Sequence, residues 1–202
     1  MDSKQPTGTQ RARKLRLILV PVVVVGALCL ALLPGTMGAK GPSIIQLTDN
    51  ALNDGNTQID GGKVTWQEYD GNDYEIYLYD GRNTIQLTDN ADYDANPQID
   101  GGKVTWEGSD GNDLEIFLYD GKSTIQLTDN ALVTDFSPQI DGGKVTWHAW
   151  DGNDYEIFLY DGKSTIQLTD NGWDDYGPQI DGGKVIWDGY DGNDWEVYLW
   201  TR

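Results

Sequence analysis

One stretch dominates the chain: Asp-Gly-Asn-Asp-Tyr-Glu-Ile-Tyr-Leu-Tyr-Asp-Gly, from Asp70 to Gly81. It recurs from Asp110, Asp151 and, in altered form, Asp191, at spacings of 40, 41 and 40 residues. Two further blocks travel with it. Gln-Leu-Thr-Asp-Asn starts at Gln46, Gln86, Gln126 and Gln167, and Gln-Ile-Asp-Gly-Gly-Lys-Val starts at Gln58, Gln98, Gln139 and Gln179. Self-similarity at this period means that each unit is one supersecondary element, unable to bury a core alone and stacked on its neighbours.

The second repeat, Thr84 to Gly121, shows what one unit contains. Thr84 to Thr88 is short and β-prone, and Asp89-Asn90 reads as a turn. After a variable stretch, Gln98-Ile99 and Lys103 to Trp106 flank Asp100-Gly101-Gly102, a strong hairpin signal. A second hairpin turns around Asp110-Gly111, and Glu115 to Tyr119 is a strand stopped by Asp120-Gly121. Each unit therefore holds four short strands, and past the leader no stretch carries a 3.6-residue apolar period. Ile76 and Leu78 fall on one strand face, Tyr77 and Tyr79 on the other. A sheet with one wet face alternates apolar with polar residues, whereas a sheet held between two others is greasy on both. The expected fold is all-β: a β-propeller of four-stranded antiparallel blades. A parallel β-helix has shorter rungs and lacks this hairpin chemistry.

Composition narrows the partners. The chain has 14 basic and 33 acidic residues, a net charge of −19. From Lys40 onward the balance is 9 basic against 32 acidic, a net of −23. Such a surface repels phosphate backbones, which excludes nucleic acid as a partner. Eight Trp and eleven Tyr supply a packed core that an acidic disordered chain lacks. Cys29 is the sole cysteine, so no intrachain disulfide forms.

Residues 1–39 read as a separate leader, and 40–202 as the repeat domain. A basic stretch precedes Leu17 to Leu33, 17 residues without a charge. The run fits either an export signal, cleaved near Thr36-Met37-Gly38, or a retained single-pass anchor. Both place the repeats on the outer side, periplasmic or extracellular, with membrane contact only through residues 17–33.

The blocks DGNDYEIYLYDG, IQLTDN and PQIDGGKVTW, in that order, resemble the repeats of TolB-like (WD40-like, PD40) β-propellers over Ser43 to Arg202. In that family a D-G-N-x-E-I-Y strand leads to an L-T-N turn and then to a P-x-W-S-P-D-G-K hairpin. Here Gln-Ile-Asp-Gly-Gly replaces the Trp-Ser-Pro-Asp-Gly section, and the Trp sits at the end of the next strand, at Trp66, Trp106, Trp147 and Trp187. The resemblance implies an envelope-facing binding scaffold. Ser43 to Thr48 matches a fourth strand and Glu196 to Trp200 a third. The expectation is that the amino-terminal strand pairs into the last blade and closes a four-bladed monomer, removing an open edge. A dimer forming one eight-bladed ring is the rival.

The repeats differ in two places. One is the connection from a fourth strand to the next first strand; the other is the triplet before the DGND turn, Gln67 to Tyr69 and its counterparts. Both emerge on the same end of an up-and-down blade, where binding residues usually sit. The candidate ligand-binding residues are Tyr69, Tyr93, Phe136, Trp150, Trp173, Tyr176 and Tyr190, aromatic and set among carboxylates. Such groups suit protein hot spots or sugar rings. In the DGND turn Asp70, Asn72, Asp73 and Glu75 offer oxygens of the kind calcium takes. The full calcium-loop pattern is missing, and a hairpin in which Asp and Asn bond the local backbone is the preferred reading.

No catalytic residues are assigned. His148, the sole histidine, reads as a loop decoration with no nucleophile partner, and near-identical blades argue against the paired, unlike carboxylates of a glycoside hydrolase. No cofactor is called for. The expected function is non-enzymatic binding of an envelope or extracellular protein through the variable-loop face, with a lectin-like carbohydrate-binding propeller as the alternative.

Overall fold

The computed structural model describes residues 42–130 and 133–202; the leader lies outside them. Ile45–Arg202 forms one compact unit, and among the described residues the regular structure is all strand.

The first blade comprises β1 (Asp54–Asp60), β2 (Lys63–Tyr69), β3 (Tyr74–Tyr79) and β4 (Thr84–Gln86). The second comprises β5 (Asp94–Asp100), β6 (Lys103–Ser109), β7 (Leu114–Tyr119) and β8 (Thr124–Gln126). The third comprises β9 (Asp135–Asp141), β10 (Lys144–Trp150), β11 (Tyr155–Tyr160) and β12 (Thr165–Gln167). The fourth has β13 (Asp175–Asp181), β14 (Lys184–Tyr190) and β15 (Trp195–Trp200) only. All pairings are antiparallel between consecutive strands. The first strands, β1, β5, β9 and β13, abut in succession and form the inner edge of the array.

Sequence chemistry fixes these elements locally. The Asp-Gly-Gly-Lys hairpins need left-handed backbone at both glycines, as at Gly101 (φ 57°) and Gly102 (φ 82°). Each hairpin also grips the next blade: Asp60 Oδ2 accepts the Gly101 N–H at 2.8 Å, and Asp100 Oδ2 accepts that of Gly142 at 2.8 Å. A bulge shifts the register of every first strand, at Asn56, Asn96, Ser137 and Gly177, all with positive φ. The Leu-Thr-Asp-Asn turn is pinned back onto the third strand, where Thr88, Thr128 and Thr169 each accept a strand N–H through Oγ1 at 2.8 Å.

The core lies between blades. Ile76 and Leu78 of β3 pack on Val104 and Trp106 of β6, Ile116 and Leu118 of β7 on Val145 and Trp147 of β10, and Ile157 and Leu159 of β11 on Val185 and Trp187 of β14. Each Trp stacks on the aromatic opposite it, as Trp106 on Phe117 at 5.8 Å and 13°. Its indole N–H donates to a buried aspartate, Trp106 to Asp94, Trp147 to Asp135 and Trp187 to Asp175, at 2.7, 2.8 and 2.9 Å. That pair links the second strand of a blade to its own first strand, so the motif organises the blade as well as the junction.

The four-bladed, all-β expectation holds, but the closing pairing does not form. Residues 43–48 carry no strand, and the fourth sheet keeps three strands. Thr48, whose counterparts accept from a third strand, donates instead to Asp54 Oδ2 at 2.7 Å. The physical reason is the geometry of the array. On β15, Val197 and Leu199 are 74% and 60% exposed where their counterparts are packed, and Ile59 at the other edge is 71% exposed. The outer face of the last blade, and Ile59 at the first, thus stand uncovered where a closed ring would cover them.

Candidate functional site

The triplets before the DGND turns are strand, not loop. Tyr69, Ser109, Trp150 and Tyr190 end β2, β6, β10 and β14, and they pair across the turn with Tyr74, Leu114, Tyr155 and Trp195. The turn is tight enough for pairing to run to its edge because Asp70 Oδ1 accepts the N–H groups of Asn72 and Asp73, at 2.8 and 3.2 Å. The same bonds recur at Asp110, Asp151 and Asp191. For the first Asp of the motif the hairpin reading is therefore right.

The structure brings five of the seven sequence-predicted residues into one aromatic band across the third and fourth blades. Phe136 stacks on His148 at 5.7 Å, and His148 meets Tyr176 edge-on at 5.2 Å. Tyr176 lies 5.8 Å from Trp195, Trp195 lies 5.6 Å from Tyr190, and Tyr190 lies 5.4 Å from Trp173. Trp150 joins through Tyr155, at 5.5 Å, and Tyr155 lies 5.0 Å from Tyr176. The other two, Tyr69 and Tyr93, stand in a separate group bridged by Tyr74. Trp195, Trp173 and Trp150 are the most exposed members of the band, at 53%, 48% and 40%. Sequence reasoning missed Tyr74, Tyr155 and Trp195. Their signal was available: the residue after DGND varies as Tyr74, Leu114, Tyr155 and Trp195 inside an otherwise repeated block.

His148 is a correction. It is not on a loop but inside β10, 8% exposed, enclosed by Phe136, Tyr155 and Tyr176. Burial holds its pKa down, at about 4, and Nδ1 has no partner. It is neutral at physiological pH and serves as a ring in the aromatic band.

At the fourth-blade end of the band lies an open cavity of about 440 Å³, lined by Trp173, Tyr190, Trp187, Tyr198, Asp175 and Asp191 among others. Aromatic walls with carboxylates at the rim match the chemistry of a carbohydrate or polar-peptide subsite. The junctions below carry a second feature. Glu75, Glu115 and Glu156 are buried on the third strands beside the first-strand aspartates Asp94, Asp135 and Asp175. Desolvation raises Glu75 to about 7 and Glu156 to about 7, the latter also through the charge of nearby Asp175. Desolvation likewise lifts Asp94 to about 6 and Asp135 to about 7. Asp70, Asp73 and Glu75 form one group of carboxylates with the spacing a metal ion requires.

Antiparallel blades stacked face to face, with the first strands innermost, define a β-propeller. The structural neighbours are propellers of that kind. Acylaminoacyl peptidase of Pyrococcus horikoshii superposes with a TM-score of 0.58 at 18% identity, over 72% of this chain and 25% of that one. The β-propeller domain of the Trilobed protease of Pyrococcus furiosus, described as having an open velcro topology, gives 0.57 at 14% identity over 71% of this chain and 48% of that one. TolB of Acinetobacter baumannii gives 0.50 at 18% identity over 68% of this chain and 37% of that one. This chain thus spans between a quarter and about half the length of these neighbours, and what it shares with them is the propeller fold. No family model and no curated protein matches the sequence.

Proposed function

We propose that this chain is an exported, non-enzymatic propeller scaffold that binds an envelope or extracellular protein through the aromatic band of its third and fourth blades. One observation carries the reading: five of the seven aromatic residues picked out by divergence between repeats converge into a single continuous band. Large, rigid aromatics in one patch are the composition of a protein hot spot. A lectin with equivalent sites in every blade would repeat its pocket, and the second blade breaks the pattern with Ser109 and Leu114. On this reading the repeats are of the TolB-like PD40 type, and the basic leader with its apolar run directs them outward.

The same reading makes a second copy of the chain the partner for the uncovered edge faces, giving an eight-bladed ring. The coverage of about half of a whole propeller domain, 48%, supports this, as does exposed apolar surface on both edges.

The test uses the full chain, immobilised and exposed to membrane and secreted extracts, with captured proteins then purified and titrated directly. Trp150→Ala and Trp173→Ala, both at exposed positions, are expected to weaken the bound protein tenfold or more without changing the melting temperature. Unchanged affinity in both variants sinks the assignment. The cavity beside Trp173 supports carbohydrate as the second reading. Saturable glycan binding lost in Trp173→Ala but kept in Trp150→Ala would establish it instead.

A further inference from the structure

At the blade junctions, turn and strand chemistry leave part of the carboxylate capacity unused. In the second blade Glu115 is fully buried on β7. Its Oε1 accepts the backbone N–H of Asn130 at 3.1 Å, while Oε2 has no partner. Carboxylate oxygens of Glu115, Asp110 and Asp129 all lie within 4.8 Å of one another. Asp113 stands close enough for its charge to act on Glu115, and neither of its own oxygens is bonded.

The arrangement repeats. In the third blade Asp151, Glu156 and Asp170 form the group; Glu156 is fully buried with Oε2 free, and Asp154, 5% exposed, has both oxygens free. In the first blade the group is Asp70, Asp73 and Glu75, with Glu75 Oε2 and Asp73 Oδ1 free. An unpartnered buried carboxylate is costly, yet the same orphan oxygen is present at three junctions. No basic side chain neutralises it: among the described residues the one ion pair is Arg202 with Asp161.

We propose that a calcium ion binds at each of these junctions, held by the free Oε2 of the buried glutamate, by aspartates of the DGND hairpin and, in the second and third blades, by the aspartate of the Leu-Thr-Asp-Asn turn. Calcium takes six to eight hard oxygens at about 2.3–2.6 Å in adaptable geometry, so two of its ligand oxygens stand at most about 5 Å apart. The observed spacing fits within that. Magnesium demands a tighter octahedron and gives up its waters reluctantly. In the second and third blades the ion ties the second hairpin to the turn that leads into the next blade, through Asp129 and Asp170, so it acts on the junction rather than on the exposed surface. In the fourth blade Asp191, Asp194 and Glu196 are exposed and lack this enclosure.

The full chain, stripped with EGTA and titrated with calcium chloride, tests this by melting temperature and by bound calcium in equilibrium dialysis. Calcium at 10 mM is expected to raise the melting temperature by roughly 5 °C or more, and magnesium by clearly less. Glu115→Gln is expected to bind one calcium fewer per chain and to melt higher than wild type in EGTA, since it removes the buried charge. Asp129→Asn, at an exposed position, is expected to bind one fewer while keeping the metal-free melting temperature. The proposal is overturned by the absence of a calcium-dependent rise, by an equal rise with magnesium, or by unchanged calcium binding in both variants. A calcium-insensitive protein whose stability falls as pH rises would assign the junctions to bound protons instead, and would equally overturn it.

Discussion

Leu199→Asp tests whether the uncovered face of the fourth blade is an interface. Leu199 and Val197 are 60% and 74% exposed, whereas their counterparts Leu78, Leu118, Leu159 and Ile76, Ile116, Ile157 are at most 3% exposed against the next blade. Bringing Leu199 to that level is worth about 1.5 kcal/mol, at roughly 1.5–3 kcal/mol for full burial. A two-fold ring contains this contact twice, so the substitution is felt twice, on the order of 3 kcal/mol in all. At 1.4 kcal/mol per decade, dimer affinity falls about 10²-fold. Sedimentation velocity across a concentration series reads the outcome. The wild-type chain is expected at twice its 22.4 kDa mass, and Leu199→Asp at one chain mass with its single-chain fold intact by circular dichroism. A wild-type protein of one chain mass at every concentration, with Leu199→Asp melting at the same temperature, would refute the reasoning, because an exposed site tolerates such a change within about 0.5 kcal/mol. One chain mass with a strongly destabilised variant would also refute the second-copy partner, and would mean that the face is covered within the chain.

Asp94→Ala strands the buried indole N–H of Trp106 and the side-chain amide of Asn90, and is expected to cost about 2–4 kcal/mol in denaturant unfolding. Its exposed counterpart Asp54 lacks that bond, with Trp66 Nε1 unpartnered, so Asp54→Ala is expected to change stability by about 0.5 kcal/mol or less. In chelator, stability is expected to fall as pH rises. Glu75, with its folded pKa raised from 4.5 to about 7, binds its proton more tightly folded than unfolded, so its contribution is present below pH 4.5 and lost as pH climbs through 7. At about 1.4 kcal/mol per pH unit, ionising Glu75 costs on the order of 3 kcal/mol by pH 8. Thermal scans at pH 5 and 8 check this, and Glu75→Gln is expected to flatten the difference. His148 acts oppositely: its folded pKa is lowered to about 4, so stability is lost as pH falls from 6.5 toward 4.

Much of the fold was legible because it rests on local chemistry. Gly61-Gly62 and its copies dictate a hairpin, Asp70 and its copies cap a turn, and a two-faced apolar strand such as β3 demands a sheet on each side. The position of the band was half legible. Divergence between copies flagged Phe136 and Tyr176, but their convergence on His148 depends on the strand β10 running three residues past Trp147, to Trp150. Tight Asp capping extends the pairing to the turn, and no propensity rule measures that. Ring closure was the least legible. Matching Ser43 to Thr48 with a fourth strand established what it resembles, not whether four junctions subtend a full turn. That angle is a property of packing between whole sheets and is written in no single residue.

The inner hairpins have one further consequence. Asp60 holds Gly101, Asp100 holds Gly142 and Asp141 holds Gly183, each blade gripping only its successor. A chain built from interchangeable links gains or loses a blade without redesigning any joint, and its stability accumulates link by link. The number of blades can therefore drift during evolution while each joint stays the same, and the selection that fixes that number acts at the two free edges.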